Sequence, residues 1–154
     1  MRFKSIIAAT DFSPGAEDAL GQALLLARQH GARLMLVHVL PPLVTPSPLL
    51  DEFVVNQTTL ALRQGLKESC QEALNKRRRE AAPELDLEVR LLEGDPPREL
   101  VRLAKEEGAD LMVMGSTGVS GLAETVFGSV AQKMVRRSPC SVLVARPLAT
   151  ASVS

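Results

Sequence analysis

Residues 4–39 read KSIIAATDFSPGAEDALGQALLLARQHGARLMLVHV, and the fold is decided here. The stretch opens on an apolar run, Lys4–Thr10, and closes on another, Arg33–Val39. Between them Ser13 is a good N-cap, and Pro14 sits at the first helical position. Glu17 and Asp18 fall in the first turn, where the helix dipole favours acids. Ala16, Ala19, Leu20, Ala23, Leu24 and Ala27 recur at helical spacing, and Gly31 after His30 reads as the C-terminal cap. Arg33–Val39 is almost wholly apolar, which predicts a strand covered on both faces, as parallel strands are. Strand, helix and parallel strand make one right-handed βαβ unit.

Working outward, the alternation continues. Pro41, Pro42, Pro46 and Pro48 make an extended connection that cannot be helical. A long helix is predicted over Val55–Ala81, with Leu62, Leu66, Cys70 and Ala73 on its apolar face. Lys67, Glu68, Lys76 and the run Arg77, Arg78 and Arg79 are assigned to its solvated face. Leu85–Leu92 is a third strand with one wetter face. Gly94-Asp95-Pro96-Pro97 turns into a short helix bearing Leu100, Leu103 and Ala104, closed by Gly108. Asp110–Met114 is a fourth strand, and a glycine-rich loop, Gly115–Gly128, follows it. A last helix, Ser129–Arg137, leads through Pro139 to a fifth strand, Ser141–Ala145. Five strands alternating with four helices predict an α/β fold: a single doubly wound, five-stranded parallel sheet, Rossmann-like, flanked by four helices. Residues 1–147 form the domain, and residues 148–154 are expected to be a disordered tail.

Composition removes several function classes. The 154 residues carry 18 Lys+Arg and 18 Asp+Glu, so the net charge is zero and a general nucleic-acid binder is disfavoured. Four Phe, with no Trp or Tyr, leave no stacking platform for a single strand. The longest uncharged stretch, Leu34–Leu50, contains four prolines and a histidine and is no membrane helix. The apolar run at the N-terminus is too short for a signal peptide. Cys70 and Cys140 have neither metal spacing nor a disulfide framework, and they read as two buried thiols in a reducing cytoplasm.

In an open α/β sheet, ligands bind outside the carboxyl ends of the strands, where strand order reverses. The loops to search therefore begin at Thr10-Asp11, Val39-Leu40, Gly94-Asp95 and Gly115. The third has the look of helix capping. The fourth is unusual. Its glycines let a ligand approach the main chain, and Gly128-Ser129 opens a helix whose first N–H groups, on Ser129, Val130 and Ala131, form an anion site. Neither G-x-x-x-x-G-K-[ST] nor G-x-G-x-x-G occurs, which sets aside the usual P-loop and dinucleotide turn. His38 reads as a satisfied core histidine. Lys133 lies one turn into the last helix, within possible reach of a bound phosphate.

Five segments together resemble the universal stress protein family in its nucleotide-binding form. Its signature G-x2-G-x9-G-[ST] is complete here as Gly115, Gly118, nine residues, then Gly128-Ser129. Ile6–Ser13, Leu36–Val39, Asp110–Gly115 and Ser138–Val144 resemble its first, second, fourth and last strands with their flanks, so the likeness runs over residues 3–147. The resemblance implies a cytoplasmic stress-response protein that binds ATP, or AMP or ADP, with magnesium or manganese carried by the phosphates. It implies that Ala9, Thr10 and Asp11 line the adenine and ribose side, that Val39 lies by adenine, and that Met114 and Gly115 lie against the nucleoside. Gly118, Gly128, Ser129 and Val130 would hold the phosphates, with Ala131 offering its N–H. Ala131 departs from relatives with a hydroxyl residue there, and Ala9 from those with a proline. The resemblance further implies a homodimer through Ser141–Ala145, with Val142 and Val144 near the interface. A catalytic base is not evident, because Glu124 is the glycine loop's only carboxylate. The expectation is a nucleotide-dependent sensor, with a slow ATPase timer or a nucleotide-free scaffold dimer as alternatives.

Overall fold

The computed structural model describes residues 1–43, 52–81, 83–117 and 127–147. Among them the strands are β1 (Ser5–Ala9), β2 (Arg33–Leu40), β3 (Leu87–Glu93), β4 (Leu111–Gly115) and β5 (Ser141–Ala145). The helices are α1 (Pro14–His30), α2 (Glu52–Glu80), α3 (Pro96–Glu106) and α4 (Ser129–Arg137). The sheet order is β3-β2-β1-β4-β5 and every pairing is parallel. The winding thus reverses between β1 and β4, so the loops after those two strands diverge and leave a crevice.

Strand alternation distributes the core onto two faces. Ile6, Ala8, Leu34, Leu36, Leu111 and Val113 pack with Ala19, Ala23 and Ala27 of α1 and Leu74 of α2. Ile7, Met35, Val37, Val39, Met112 and Met114 pack with Leu100 and Leu103 of α3 and Met134 of α4. Alanines on the α1 face let that helix lie close to the central strands. Leu74 is completely buried, and truncating such a side chain to alanine costs about 2–5 kcal/mol.

Local signals account for the ends of α1. Ser13 Oγ accepts from Ala16 N at 3.2 Å, and Gly31 closes the helix in the left-handed region at φ 62°. Asp95 caps α3 in the same way, accepting from Arg98 N at 3.4 Å. Asp110 lies just before β4, and its carboxylate accepts from Lys4 N at 2.8 Å and Ser5 N at 3.3 Å. It ties the start of β1 to that of β4 rather than extending the strand.

The structure departs from the sequence reading in α2 and β3. Helix α2 begins at Glu52 rather than Val55, and its inward stripe is rotated. Leu62 is 58% exposed, whereas Leu74, outside the expected face, is fully buried. Arg77, assigned to solvent, is tucked in with its side chain only 18% exposed. Strand β3 starts at Leu87, because Leu85 lies in a turn whose carbonyl accepts from Leu87 N at 2.9 Å. Cys70 and Cys140 are half-buried rather than buried. Burial pushes the Cys70 thiol up, away from its reactive thiolate. No described helix is long and apolar enough to cross a membrane. The proline-rich connection and the tail lie largely or wholly outside the described residues.

Candidate functional site

A cavity of about 360 Å³ opens where the winding reverses, at the carboxyl ends of β1, β2 and β4. That volume falls at the lower end of small-ligand pockets. From the β1 end come Ala9, Thr10 and Asp11. Strand β2 and its exit contribute Val37, His38, Val39 and Pro41. Met114, Gly115, Ser116 and Thr117 come from β4 and its exit, Pro96 and Leu100 from α3, Ala16 from α1, and Gly128, Ser129, Val130 and Ala131 from the start of α4.

The β1 end is a tight turn bonded to itself. Thr10 N donates to Val37 O at 2.8 Å and extends the β1–β2 pairing by one residue. Thr10 Oγ1 then accepts from Phe12 N at 3.0 Å, and Asp11 Oδ1 accepts from Ser13 N at 3.0 Å. Phe12 between them sits at φ 65°, in the left-handed region that bulky residues avoid. His38 Nδ1–H donates to Thr10 O at 2.7 Å, the only direction open against a carbonyl. Asp11 therefore caps the turn with one oxygen and still lines the cavity.

At the β4 end, close backbone approach governs the geometry. A Cβ on Gly115 would stand 3.0 Å from Gly15 C and 3.1 Å from Gly15 O. Glycine at 115 thus lets the start of α1 lie against the end of β4. Ser116 N donates to Ala145 O at 3.0 Å, and Gly128 N donates to Ser116 O at 2.7 Å. That second bond draws the start of α4 back to the strand it left.

Helix α4 begins differently from α1 and α3. Gly128 is its N-cap, no side chain caps it, and its first turn holds no acidic residue. The first intrahelical bond runs from Gln132 N to Gly128 O at 3.0 Å. The N–H groups of Ser129, Val130 and Ala131 precede it, so the positive end of the helix dipole faces the cavity uncapped. Thr10, Ser116, Thr117 and Ser129 add hydroxyls. Val37, Val39, Met114 and Leu100 supply an apolar wall. Asp11 is the one carboxylate among the described lining residues, and no group of three His, Cys, Asp or Glu gathers for a metal among the described residues. Chemically, the cavity suits a ligand with an apolar planar part, hydroxyls and an anionic end.

The structure thus brings Ala9, Thr10, Asp11, Val39, Met114, Gly115, Gly128, Ser129, Val130 and Ala131 around one cavity. Gly118 and Glu124 lie outside the described residues. Lys133 is exposed and is not among the lining residues. Sequence reasoning missed His38, Ser116, Thr117 and Leu100 as wall residues. The signal for His38 was its place one residue before Val39, at the end of a strand already assigned to the site.

Residues 2–146 match the universal stress protein family. A universal stress protein of Methanocaldococcus jannaschii is 33% identical over 145 residues, covering 94% of this chain and 82% of that one. The solved universal stress protein UspA of Lactobacillus plantarum superposes with a TM-score of 0.74 at 26% identity, covering 95% of this chain and 99% of that one. A universal stress protein solved in complex with cAMP superposes with a TM-score of 0.60 at 27% identity, covering 95% and 98%.

Proposed function

This chain belongs to the universal stress protein family, and we propose that its cavity binds an adenine nucleotide, ATP foremost, as a nucleotide-dependent sensor in the stress response. The observation that carries the reading is the bare start of α4. Three backbone donors and a helix dipole face a cavity whose other wall is apolar and hydroxyl-bearing. Support also comes from the similar protein solved with cAMP, an adenine nucleotide.

In this reading the base lies against Val39 and Met114, and Asp11 accepts from a sugar hydroxyl or the adenine amine. The phosphates rest on the N–H groups of Ser129, Val130 and Ala131 and on the Ser129 hydroxyl, with Gly118 and Gly128 close by. ADP and AMP present fewer phosphate oxygens to the same donors. A divalent ion, magnesium or manganese, would be held chiefly by phosphate oxygens, since the described wall offers one carboxylate. Residues 1–147 act as a single domain in the cytoplasm. Strand β5 lies at a sheet edge with Val142 and Val144 half-buried, and it pairs two copies into an isologous homodimer.

The test is to denature the purified protein, identify released small molecules by mass spectrometry, and titrate the protein with ATP. Release of an adenine nucleotide, or ATP binding that weakens in Asp11→Ala and Gly128→Val, supports the reading. ADP accumulating with time would replace the sensor by a slow ATPase. A protein that carries no nucleotide and ignores ATP with magnesium would overturn it.

A further inference from the structure

Phe12 occupies a backbone conformation that a bulky residue keeps only when its surroundings impose it. Those surroundings are specific. The Phe12 ring lies 4.6 Å from the His38 ring, tilted at 43°, and the Arg77 guanidinium carbon lies 4.8 Å from the Phe12 centroid on its other contact. Arg77 is itself fixed at all three nitrogens. Nε donates to Glu17 Oε1 at 2.6 Å, Nη2 donates to the same oxygen, and Nη1 donates to Ala73 O at 2.7 Å. His38 is fixed through Thr10 O. The ring is thus held by a strand residue and by a cation on α2, a helix that contributes none of the described residues of the cavity wall.

We propose that Arg77 is a positioning residue for the nucleoside end of the cavity. Through the Phe12 ring it holds the Thr10–Ser13 turn in the form that presents Thr10 and Asp11 to the ligand. This rests on the nucleotide reading above. The physical argument is one of populations. Released from its grip, Phe12 relaxes to negative φ, and the turn that carries Asp11 rotates with it. Apparent affinity then falls in proportion to the fraction of molecules still holding the competent turn. Arg77 thereby sets nucleoside affinity without touching the ligand, and it connects α2 to the site.

The test compares wild type with Arg77→Ala, Arg77→Lys and Phe12→Gly, using calorimetric titration with ATP and separately with inorganic triphosphate. Triphosphate probes the α4 donors alone. Arg77→Ala is expected to weaken ATP roughly three- to tenfold, the scale of one cation–aromatic contact, and to leave triphosphate binding unchanged. Arg77→Lys, which keeps a cation over the ring, falls between the two. Phe12→Gly adopts positive φ freely but loses the ring, and it is expected to bind ATP more weakly than wild type. Unchanged ATP affinity in folded Arg77→Ala, equal weakening of both ligands, or full affinity in Phe12→Gly would each overturn the proposal. Hydrogen exchange gives a readout that needs no ligand. Protection of the Phe12 and Ser13 amides should drop in Arg77→Ala while the amides of β1 and β2 keep theirs, and retained protection overturns the grip. A wild type that ignores ATP overturns the nucleotide reading, and the exchange result still decides the role of Arg77.

Discussion

At the β1 end of the cavity the chain satisfies itself. Phe12 N–H goes to Thr10 Oγ1, Ser13 N–H to Asp11 Oδ1 and Ala16 N–H to Ser13 Oγ. At the α4 end, Ser129, Val130 and Ala131 hold their N–H groups out ahead of the first intrahelical bond. Of the helices that start at the cavity, α1 is closed by a serine and α3 by Asp95, while α4 is left open behind a glycine. A ligand at the closed start of α1 is met by side chains, which can discriminate. A ligand at the open start meets backbone amides, which supply affinity for negative charge whatever the side chains are. In the nucleotide reading, the nucleoside is recognised at the first and the phosphates are anchored at the second.

The contact that locks the two ends together should give the largest effect when broken. Gly115 and Gly15 meet backbone to backbone, leaving too little room for a Cβ on Gly115. Gly115→Ala is expected to cost about 1–3 kcal/mol in urea unfolding, the range for overpacking a well-fitted site. A variant as stable as wild type would show that the ends are not fixed to each other here.

Ser129→Pro tests the open end. Proline is favoured at the first helical position, and Gly128 at φ −60°, ψ 152° already has the backbone that a residue before proline adopts. The substitution therefore removes one amide donor and one hydroxyl with little cost to α4. Binding of inorganic triphosphate should weaken roughly tenfold to a hundredfold, as for hydrogen bonds to a charged group, while the melting temperature holds. Ser129→Ala, which removes only the hydroxyl, should weaken it less. Undiminished triphosphate binding in Ser129→Pro would remove the α4 donors from the site.

At the closed end, Asp11→Asn keeps an acceptor for Ser13 N but removes the charge and turns the second carboxylate oxygen into an amide donor. Adenosine binding is expected to fall roughly two- to tenfold, the worth of one ordinary hydrogen bond, and triphosphate binding to stay level or rise. Equal loss for both ligands would erase the division of labour between the ends.

How much of this was legible in the sequence follows from how local each signal is. The caps of α1, the turn at Gly31 and the bounds of α4 and β5 rest on one or two residues acting on their neighbours, and the structure has them where the sequence reading has them. The α2 face does not. Its pattern mixes Leu62, Leu66 and Ala73 with polar residues, so a rotation by one position costs the pattern little, and only packing in the folded core selects Leu74. Arg77 was unreadable for a related reason. An arginine in a run of three looks solvated until Glu17 and Phe12, some sixty residues earlier, are folded beside it. The cavity wall was legible where glycines and strand ends announce it, at Asp11, Gly115 and Gly128. It was not legible at Leu100, which only the crossing of α3 brings to the opening, while at His38 the signal, its place beside Val39, was overridden by the reading of a core histidine.

The smallest effect is expected at the rim, away from the starts of α1 and α4. Glu93, at the end of β3, accepts from Lys67 Nζ at 2.9 Å and lies 3.6 Å from Arg63 Nε, whose Nη1 reaches Pro41 O at 3.4 Å. The Lys67 hydrogen bond above all, with Arg63 beside it, holds the Glu93 carboxyl below the usual carboxylate range. A carboxyl lowered on folding contributes stability that is present above its unfolded pKa and lost as pH falls through its folded one. Glu93→Gln should therefore melt slightly below wild type at neutral pH, and the two curves should converge as the pH drops beneath the carboxylate range. High salt should close the same gap at neutral pH, because these groups are exposed and screened. If ATP and triphosphate affinities are equal in Glu93→Gln and wild type, the rim pair fastens α2 to β3 without reaching the cavity. If ATP alone weakens, the closed end extends through Pro41 to this ion pair, and α2 reaches the site at two places rather than one.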